Sequence, residues 1–419
     1  MSTQITIHRG ASTIGGTCIE ISSGKTRIIL DLGMPLTNEN ETIDKLEVEL
    51  DVDGVLISHP HQDHYGLIDL LPDEVPVYTG PIAAKLFQST RLFLGKPLYT
   101  NSFREFTPWQ TFEIGSFKIT PHLMDHSAVD AYAFEIECEG KRLFYSGDFR
   151  AHGRKSKLFD KLVQHPPKEI DVLFMEGTML ARDNKEFPDE AAVEDKMVET
   201  LCSDSNAVFL LSSSQNIDRI VSAYRASKRS GRIFVVDIYT AWILEKIAEI
   251  SGHTPKIDWP MIKVLSKGGT AAKHYLTVKN NADYFGHFVK KIYQPGNMIT
   301  CEEIAKNPAK YFIKTSSIQY LKNQMNLGSV RAIYSMWPGY LDEQHGNSYS
   351  YLPKLKEDLD ITLVHAHTSG HAETADLIKF AEAINPEKLI PIHTEHGMKY
   401  DDIFRNVYHL DNGKTLVLV

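Results

Sequence analysis

Three histidines and one aspartate lie within six positions of the stretch "SHPHQDHYG", namely His59, His61, Asp63 and His64. Imidazole nitrogens and carboxylate oxygens are ligands that zinc, manganese and iron accept. His59 and His61 are two positions apart, so they can point the same way on extended backbone. Asp63 and His64 are adjacent, so their side chains must point in different directions. The loop can therefore serve two metal ions, with one pair of side chains for each ion.

Further ligands are expected where other predicted strands end, because rigid strand ends commonly present chemistry. A lone histidine at such a place is more often an ordinary polar group than a ligand. The prediction of further ligands therefore rests on the cluster at residues 59–64. We expect His59, His61 and His126 on one ion, Asp63, His64 and His393 on the other, and Asp148 between them. Asp31 in "LDLG" is expected to orient a ligand histidine from behind.

Composition limits the classes of protein that fit. The chain has 419 residues, 42% hydrophobic and 24% charged, which suits two or three globular domains. A formal net charge of −9 does not indicate a general nucleic-acid binder, so an anionic ligand must be held by a local patch or by metal. Four scattered cysteines without a CxxC motif argue against a disulfide framework. With no signal-peptide pattern and no long apolar run, we expect a cytoplasmic protein.

The pattern of elements changes twice along the chain. Residues 1–180 read as paired strands with few helices, and residues 181–354 alternate strands with amphipathic helices, which predicts a parallel sheet. Within the second part, residues 251–310 mix proline, glycine and aromatic residues and are expected to be irregular. Residues 355–419 again place a strand before each of two histidine-bearing loops. The basic run "YRASKRSGR" is either the solvated face of a helix or a nucleic-acid contact.

Read in order, "LDLG", "SHPHQDHYG", "DHS", "SGD" and "IPIHTEHG" resemble the metallo-β-lactamase fold, and the long insert resembles that of the β-CASP nucleases. The resemblance implies an α/β protein, an αββα sandwich formed by residues 1–180 and 355–419, with an inserted β-CASP α/β domain at 181–354. "FMEGT", "HTSGHA" and "IPIHTEHG" are similar to the three β-CASP motifs, with Glu176, His371 and His393 at their functional positions. The residues of "HTSGHA" most resemble those of RNase J-type ribonucleases.

The resemblance implies roles for these residues. His393 at the third motif indicates RNA rather than DNA as substrate. His371 is the candidate general acid or phosphate contact, and Glu176 would fix its tautomer. Asp63, also a ligand, would orient the attacking water. Candidate substrate contacts are Ser369 and Gly370 beside His371 and, in "LLSSSQNIDRI", Ser213, Ser214 and Asn216 at the start of a helix. A plain helix cap remains the alternative for "TSGHAETADLIKF", and an ordinary buried acid the alternative for Glu176.

The sequence thus predicts a metal-dependent ribonuclease that hydrolyses RNA phosphodiester bonds at a domain cleft, through a water activated by two divalent ions. Zinc is expected, with manganese as the alternative, and the expected partner is single-stranded RNA. No membrane is expected, and a homodimer is left open. Three other functions remain open: a DNA nuclease of the same fold, a small-molecule hydrolase such as a lactonase or thioesterase, and an inactive RNA-binding subunit.

Overall fold

The structure is a computed structural model, and it describes residues 2–36, 50–182, 185–266, 270–341 and 351–419. The chain divides into two compact units. Unit 1 comprises Met1–Gln88, Leu98–Lys185 and Ser369–Val419, and unit 2 comprises Ser89–Pro97 and Glu186–Thr368. The domain boundaries expected from the sequence, at 181 and 354, stay a prediction.

Unit 1 contains two mixed sheets. The strands of the first are β1 Thr3–Arg9, β2 Cys18–Ser23, β3 Thr26–Leu30, β4 Gly54–Leu56, β5 Val77–Thr79, β6 Phe103–Glu105 and β20 Thr415–Leu418, in the order β20-β1-β2-β3-β4-β5-β6. The strands of the second are β7 Phe112–Ile114, β8 Phe117–Leu123, β9 Tyr132–Cys138, β10 Lys141–Tyr145, β11 Val172–Glu176 and β19 Lys388–Ile392, in the order β19-β11-β10-β9-β8-β7.

The apolar residues of unit 1 form layers. Ile5, Ile7, Ile19 and Ile21 alternate with more exposed residues and pack in one cluster with Phe134 and other side chains of the second sheet. The two sheets therefore share a core, and helices cover their outer faces. These helices are α1 Gln62–Tyr65, the part of α2 Pro81–Leu94 that ends at Gln88, α3 Lys157–Gln164, α13 Thr374–Ile384 and α14 Tyr400–Ile403. The predicted αββα sandwich is confirmed.

Unit 2 contains an entirely parallel sheet. Its strands are β12 Val208–Leu211, β13 Ile233–Val236, β14 Ile262–Leu265, β15 Met298–Ile299, β16 Tyr311–Lys314, β17 Val330–Tyr334 and β18 Ile361–His365, in the order β15-β14-β13-β16-β12-β17-β18. Central strands such as "VFLL" are buried along their whole length, as expected for a parallel sheet covered on both faces. The predicted α/β insert is confirmed.

Helices lie on both faces of this sheet, and two apolar clusters separate them from it. They are α4 Glu190–Ser203, α5 Ile217–Ser230, α6 Ile238–Ile247, α7 Thr270–Asn280, α8 Ala282–Phe285, α9 His287–Ile292, α10 Cys301–Lys306, α11 Ile318–Gln324 and α12 Tyr351–Glu357. Short 3-10 turns occur at Ile68–Leu70, Pro308–Lys310, Pro338–Leu341 and Gly397–Lys399. Among the residues described, none of the helices has the length and apolar character needed to cross a membrane.

The expectation of irregular structure at 251–310 is wrong for most of the described part of that range. It contains the edge strand β15, its neighbour β14, and the helices α7 to α10. These elements are short and interrupted by glycine and by turns, so no apolar period extends over enough residues to be recognised in the sequence.

Candidate metal centre

The candidate ligands of unit 1 follow the carboxyl ends of its strands, as their positions in the sequence predicted. Asp31 comes directly after β3, His59 follows β4, and His393 comes directly after β19. His126 and Asp148 lie three residues beyond β8 and β10, and Glu176 is the last residue of β11. The loops that leave these strands bring together side chains from distant parts of the sequence.

His59, His61 and His126 form the first convergent set, with one nitrogen of each within 4.8 Å of the others. Nε2 of His59 lies 3.1 Å from Nδ1 of His61, and Nε2 of His126 lies 3.2 Å from the same Nδ1. His59 and His126 are fully buried. The structure brings together the three residues predicted to share the first ion.

The hydrogen bonds of Nδ1 in His59 and His126 indicate that Nε2 of each ring carries a lone pair. Ser58 Oγ donates to Asp31, so it accepts from Nδ1 of His59, 3.0 Å away. Nδ1 of His126 lies 2.6 Å from the carbonyl oxygen of Gly370, an acceptor. A neutral imidazole carries one proton, so Nε2 of both rings presents a lone pair toward the others. Converging lone pairs in a buried place fit a cation.

Asp63, His64, Asp148 and His393 form the second convergent set, again within 4.8 Å. Nε2 of His64 lies 3.1 Å from Oδ2 of Asp148, and Nε2 of His393 lies 3.3 Å from Oδ2 of Asp63. Asp148 Oδ2 also lies 3.6 Å from His59 Nε2, so this carboxylate adjoins both sets. Among the described residues, Oδ1 of Asp148 is buried without a hydrogen-bond partner, and Nε2 of His64 is buried with the ion-pair contact to Asp148 but no hydrogen bond. Two such ligand atoms in one place fit a second cation.

Asp31 lies behind the second set and is completely buried. Its carboxylate accepts from the Ser58 backbone N–H and from Ser58 Oγ, each at 2.7 Å, and from the Tyr145 hydroxyl at 2.5 Å. Nδ1 of His64 lies 2.7 Å from Asp31 Oδ2, so the carboxylate directs Nε2 of His64 toward Asp148. Asp31 therefore lies where it can orient His64, and its role stays a prediction.

The pKa shifts of the histidines in the first set are opposite in direction to that of His64 in the second set. Burial, reinforced by the neighbouring imidazoles, holds the pKa of His59 and His126 well below the usual range, and burial lowers the pKa of His61 to about 4. Burial also disfavours the charged form of His64, but the carboxylates of Asp148, Asp31 and Asp63 outweigh it and raise its pKa. The first set is therefore neutral and available for ligation at neutral pH, whereas in the second a cation would replace a proton.

Glu176 and His371 lie beside the second set. Nδ1 of His371 lies 3.2 Å from both carboxylate oxygens of Glu176 and 3.7 Å from Asp148 Oδ2. Burial lowers the pKa of His371, but Glu176 and Asp148 outweigh it and raise the pKa to about 9. His371 and Glu176 also converge with Asp148 and His393 as a third set of possible ligand atoms. The sequence did not indicate this second possibility for His371.

His371 lies before helix α13, not in its first turn. The helix begins at Thr374, and its N-cap is Glu373, whose side chain accepts no capping hydrogen bond. The backbone N–H of His371 donates to Ser369 Oγ at 3.1 Å, and that of Ala372 points to Glu176 at 3.3 Å. The loop therefore presents His371 to the carboxylates.

The backbone adopts left-handed conformations at two of these residues, Asp31 (φ +54°) and His393 (φ +49°). Such values are uncommon outside glycine, although aspartate and histidine tolerate them better than most residues. Thr178 supports His393, because its hydroxyl lies 2.8 Å from Nδ1 and donates to the His393 carbonyl oxygen at 3.2 Å. Thr178, Ser58 and Tyr145 belong to no motif and have no characteristic spacing, so their contacts were not predicted from the sequence.

The predicted substrate contacts lie in both units. In unit 1, Ser369 and Gly370 form the loop before His371. In unit 2, Ser213 and Ser214 line a pocket at the carboxyl ends of β12, β13 and β16, together with Asp237 and Lys314. Asn216 caps α5 by accepting from the backbone N–H of Arg219 at 3.0 Å. All five residues stay predictions as substrate contacts.

Comparison with protein families matches two segments of the chain. Residues 26–207 match a beta-lactamase superfamily domain, and residues 359–401 match a Zn-dependent metallo-hydrolase RNA specificity domain. The second match contains His371 and His393. These matches agree with the sandwich and with the two histidine loops near the end of the chain.

Relatives align along most of the chain. An RNase J-like protein of Methanocaldococcus jannaschii is 25% identical, with 93% of this chain and 91% of that protein aligned. Ribonuclease J of Helicobacter pylori is also 25% identical, over 94% of this chain but 56% of its own length. A crystal structure of a protein of unknown function from Enterococcus faecalis superposes with a TM-score of 0.78 over 100% of both chains at 21% identity, which shows the shared fold.

These findings define the class of protein: the chain has the metallo-β-lactamase fold, and its convergent histidines and carboxylates can hold divalent metal. Within that class the chain is similar to RNase J-type proteins over most of its length, so the resemblance predicted from the motifs is confirmed.

Proposed function

We propose that the protein is a zinc-dependent ribonuclease that hydrolyses RNA phosphodiester bonds at a centre of two divalent ions in unit 1. The observation that carries the proposal is the convergence of seven ligand side chains from positions 59 to 393 into two adjoining sets. The match of residues 359–401 to an RNA specificity domain and the RNase J relatives support RNA as the substrate. The H. pylori relative is much longer than this chain, so its activity is carried over only as part of the proposal.

The proposed ligands are those predicted from the sequence. His59, His61 and His126 would hold one ion, Asp63, His64 and His393 the other, and Asp148 would join both. When bound, two such ions supply a nucleophile at neutral pH and neutralise the charge of the phosphate. Zinc suits the predominance of imidazole among the ligands, and manganese is the alternative.

The chain's own residues supply the remaining steps. Oδ2 of Asp63 lies 3.3 Å from Nε2 of His393 and 3.7 Å from Nε2 of His64, two of the proposed ligands, so Asp63 would orient the nucleophile. His371 would donate a proton from Nε2 to the leaving oxygen, because its Nδ1 faces Glu176. Glu176, which is not one of the proposed ligands, raises the pKa of His371 against the effect of burial and so favours the protonated ring. Glu176 would fix the ring and its tautomer.

The test is incubation of zinc-loaded protein with end-labelled single-stranded RNA, DNA of the same sequence, and an RNA duplex, beside metal-stripped protein. Cleavage of single-stranded RNA alone, lost on stripping and restored by zinc, is the expected result. Mononucleotide products would indicate exonuclease action, and internal fragments would indicate endonuclease action. Cleavage of DNA alone would favour the DNA nuclease, and no cleavage of any polymer would contradict the proposal. Assay of a lactone and a thioester would then test the small-molecule alternative.

A further inference from the structure

Arg150 and His152 follow Asp148 by two and four residues, and no sequence motif assigns either of them a role. Arg150 is fully buried, and its Nη1 donates to the carbonyl oxygen of Ser369 at 2.8 Å. Nε2 of His152 lies 3.0 Å from the same oxygen. A carbonyl oxygen has two lone pairs, so this one is engaged from two directions. The orientation of the Ser369 peptide is thereby fixed.

The peptide that is fixed in this way lies directly against the candidate metal centre. The next carbonyl oxygen, that of Gly370, lies 2.6 Å from Nδ1 of His126. A Cβ added at Gly370 would lie 3.2 Å from Cε1 of His126 and 3.0 Å from Oγ of Ser127, so the loop is closely packed there. His371 is the following residue, and the direction of its side chain depends on the two peptides before it.

The segment that carries Arg150 and His152 is itself held beside His126. The backbone N–H of Arg150 donates to the carbonyl oxygen of Asp125 at 2.7 Å, and the N–H of Gly153 donates to the Asp125 carboxylate at 2.8 Å. Nζ of Lys155 donates to the carbonyl oxygen of His126 at 2.7 Å. One short segment therefore begins at Asp148 and contacts both the His126 loop and the Ser369–His371 loop.

We propose that Arg150 and His152 are positioning residues that hold the Ser369–His371 loop so that His371 faces Glu176 and Asp148. The inference rests on the role of His371 in the proposed function. Neither residue belongs to the convergent ligand sets found within the described part of the chain. Both act through the Ser369 carbonyl oxygen. The planar guanidinium of Arg150 spans the distance from Asp125 to Ser369, which the single point charge of a lysine cannot do.

The variants are chosen to keep the fold. Truncation of Arg150 to alanine would leave the buried Asp125 carboxylate without its neighbouring charge and could unfold the protein. Arg150→Lys keeps the positive charge, and His152→Ala removes one donor from a half-buried side chain. His165→Ala removes an exposed histidine at the end of α3 and is the matched control.

Hydrogen exchange followed by mass spectrometry tests the positioning without any assay of activity. In His152→Ala and in Arg150→Lys, amides in the 369–372 segment should exchange about five to ten times faster, as expected when one hydrogen bond of a closed loop is lost. The His165→Ala control should match the wild type. Unchanged exchange in both test variants would overturn the inference.

A double-mutant cycle tests whether the effect passes through His371. On single-stranded RNA, His152→Ala should lower kcat by about 10-fold to 100-fold with KM and zinc content unchanged. In a His371→Ala background the same change should alter kcat less than about twofold, because the residue it positions is already missing. Additive losses in the cycle would overturn the inference. A wild type that cuts no RNA would instead contradict the proposed function, and the exchange experiment would still decide whether the loop is held as inferred.

Discussion

Asp148 adjoins both convergent sets and is the residue proposed to serve both ions. Its Oδ2 lies within 3.6 Å of His59 in one set and 3.1 Å of His64 in the other. Asp148→Ala should therefore abolish RNA cleavage and release at least one ion per chain, measured by elemental analysis after dialysis. Asp160→Ala, an exposed carboxylate on α3, should change neither quantity. Full activity with two retained ions would exclude a shared role for Asp148.

His371 is described either as a proton donor or as a ligand of the third convergent set, and one variant separates these roles. As a proton donor, His371→Ala should lower kcat by about 10²–10⁴-fold, because that is the usual contribution of general acid catalysis. Zinc content should remain that of the wild type. Loss of an ion on this substitution would reassign His371 to the ligands.

The low pKa of His61 predicts how the metal-free protein responds to acid. The unfolded chain takes up a proton near pH 6.5 but the folded ring only near pH 4, so the unfolded state binds more protons between these values. The free energy of unfolding should therefore decrease as the pH falls through this window. Denaturant titrations of metal-free His61→Asn should show a shallower decrease than the wild type, whereas His165→Asn should follow the wild type. Equal slopes in all three proteins would contradict a depressed pKa at His61.

At the scale of elements, the hydroxyl of Tyr145 joins the two sheets of unit 1 at the candidate centre. Tyr145 is the last residue of β10 in the second sheet, and it donates to Asp31, which follows β3 in the first. Tyr145→Phe should lower the free energy of unfolding by about 1.5–3 kcal/mol, the usual value for a hydrogen bond to a charged group. Zinc affinity should also fall, since Asp31 orients His64. Tyr408→Phe, on the surface, is the control; an equal loss there would show that the bond to Asp31 is not the cause.

The sequence predicted the elements near the candidate site better than their partners. A ligand at the end of a strand is visible locally, since the apolar run stops where the histidine or aspartate begins. The pairing of β1 with β20 joins Thr3 to Leu418, and no local pattern indicates such a contact. For the same reason the tie from Tyr145 to Asp31 and the support of His393 by Thr178 could not be read from spacing.

The basic run "YRASKRSGR", most of which lies in α5, has partners that its own sequence does not reveal. Arg225 and Arg229 form ion pairs with Glu194, and Arg229 also pairs with Asp195, both on α4. Arg232 donates to backbone carbonyl oxygens. These contacts join neighbouring parts of unit 2, so the run needs no nucleic acid to explain it. The sequence shows the charges but not the acidic helix beside them.

At the scale of the whole molecule, the candidate centre lies within one unit although its residues span most of the chain. His64 and His393 are separated by the insertion of unit 2, yet both belong to the second convergent set. The order of motifs allowed this to be predicted because the family resemblance supplied the long-range contacts. The net charge of −9 points away from a polyanionic substrate. We expect bound cations, and not the overall charge, to make the local field favourable for phosphate.

Anomalous diffraction at the zinc edge, from crystals of zinc-loaded protein, is the most direct test of a two-ion centre. We expect two peaks about 3.5–4 Å apart. One should lie about 2.0–2.2 Å from nitrogens of His59, His61 and His126, and the other at the same distance from Asp63, His64 and His393, with Asp148 touching both. A single peak, or peaks away from these seven side chains, would contradict the two-ion centre.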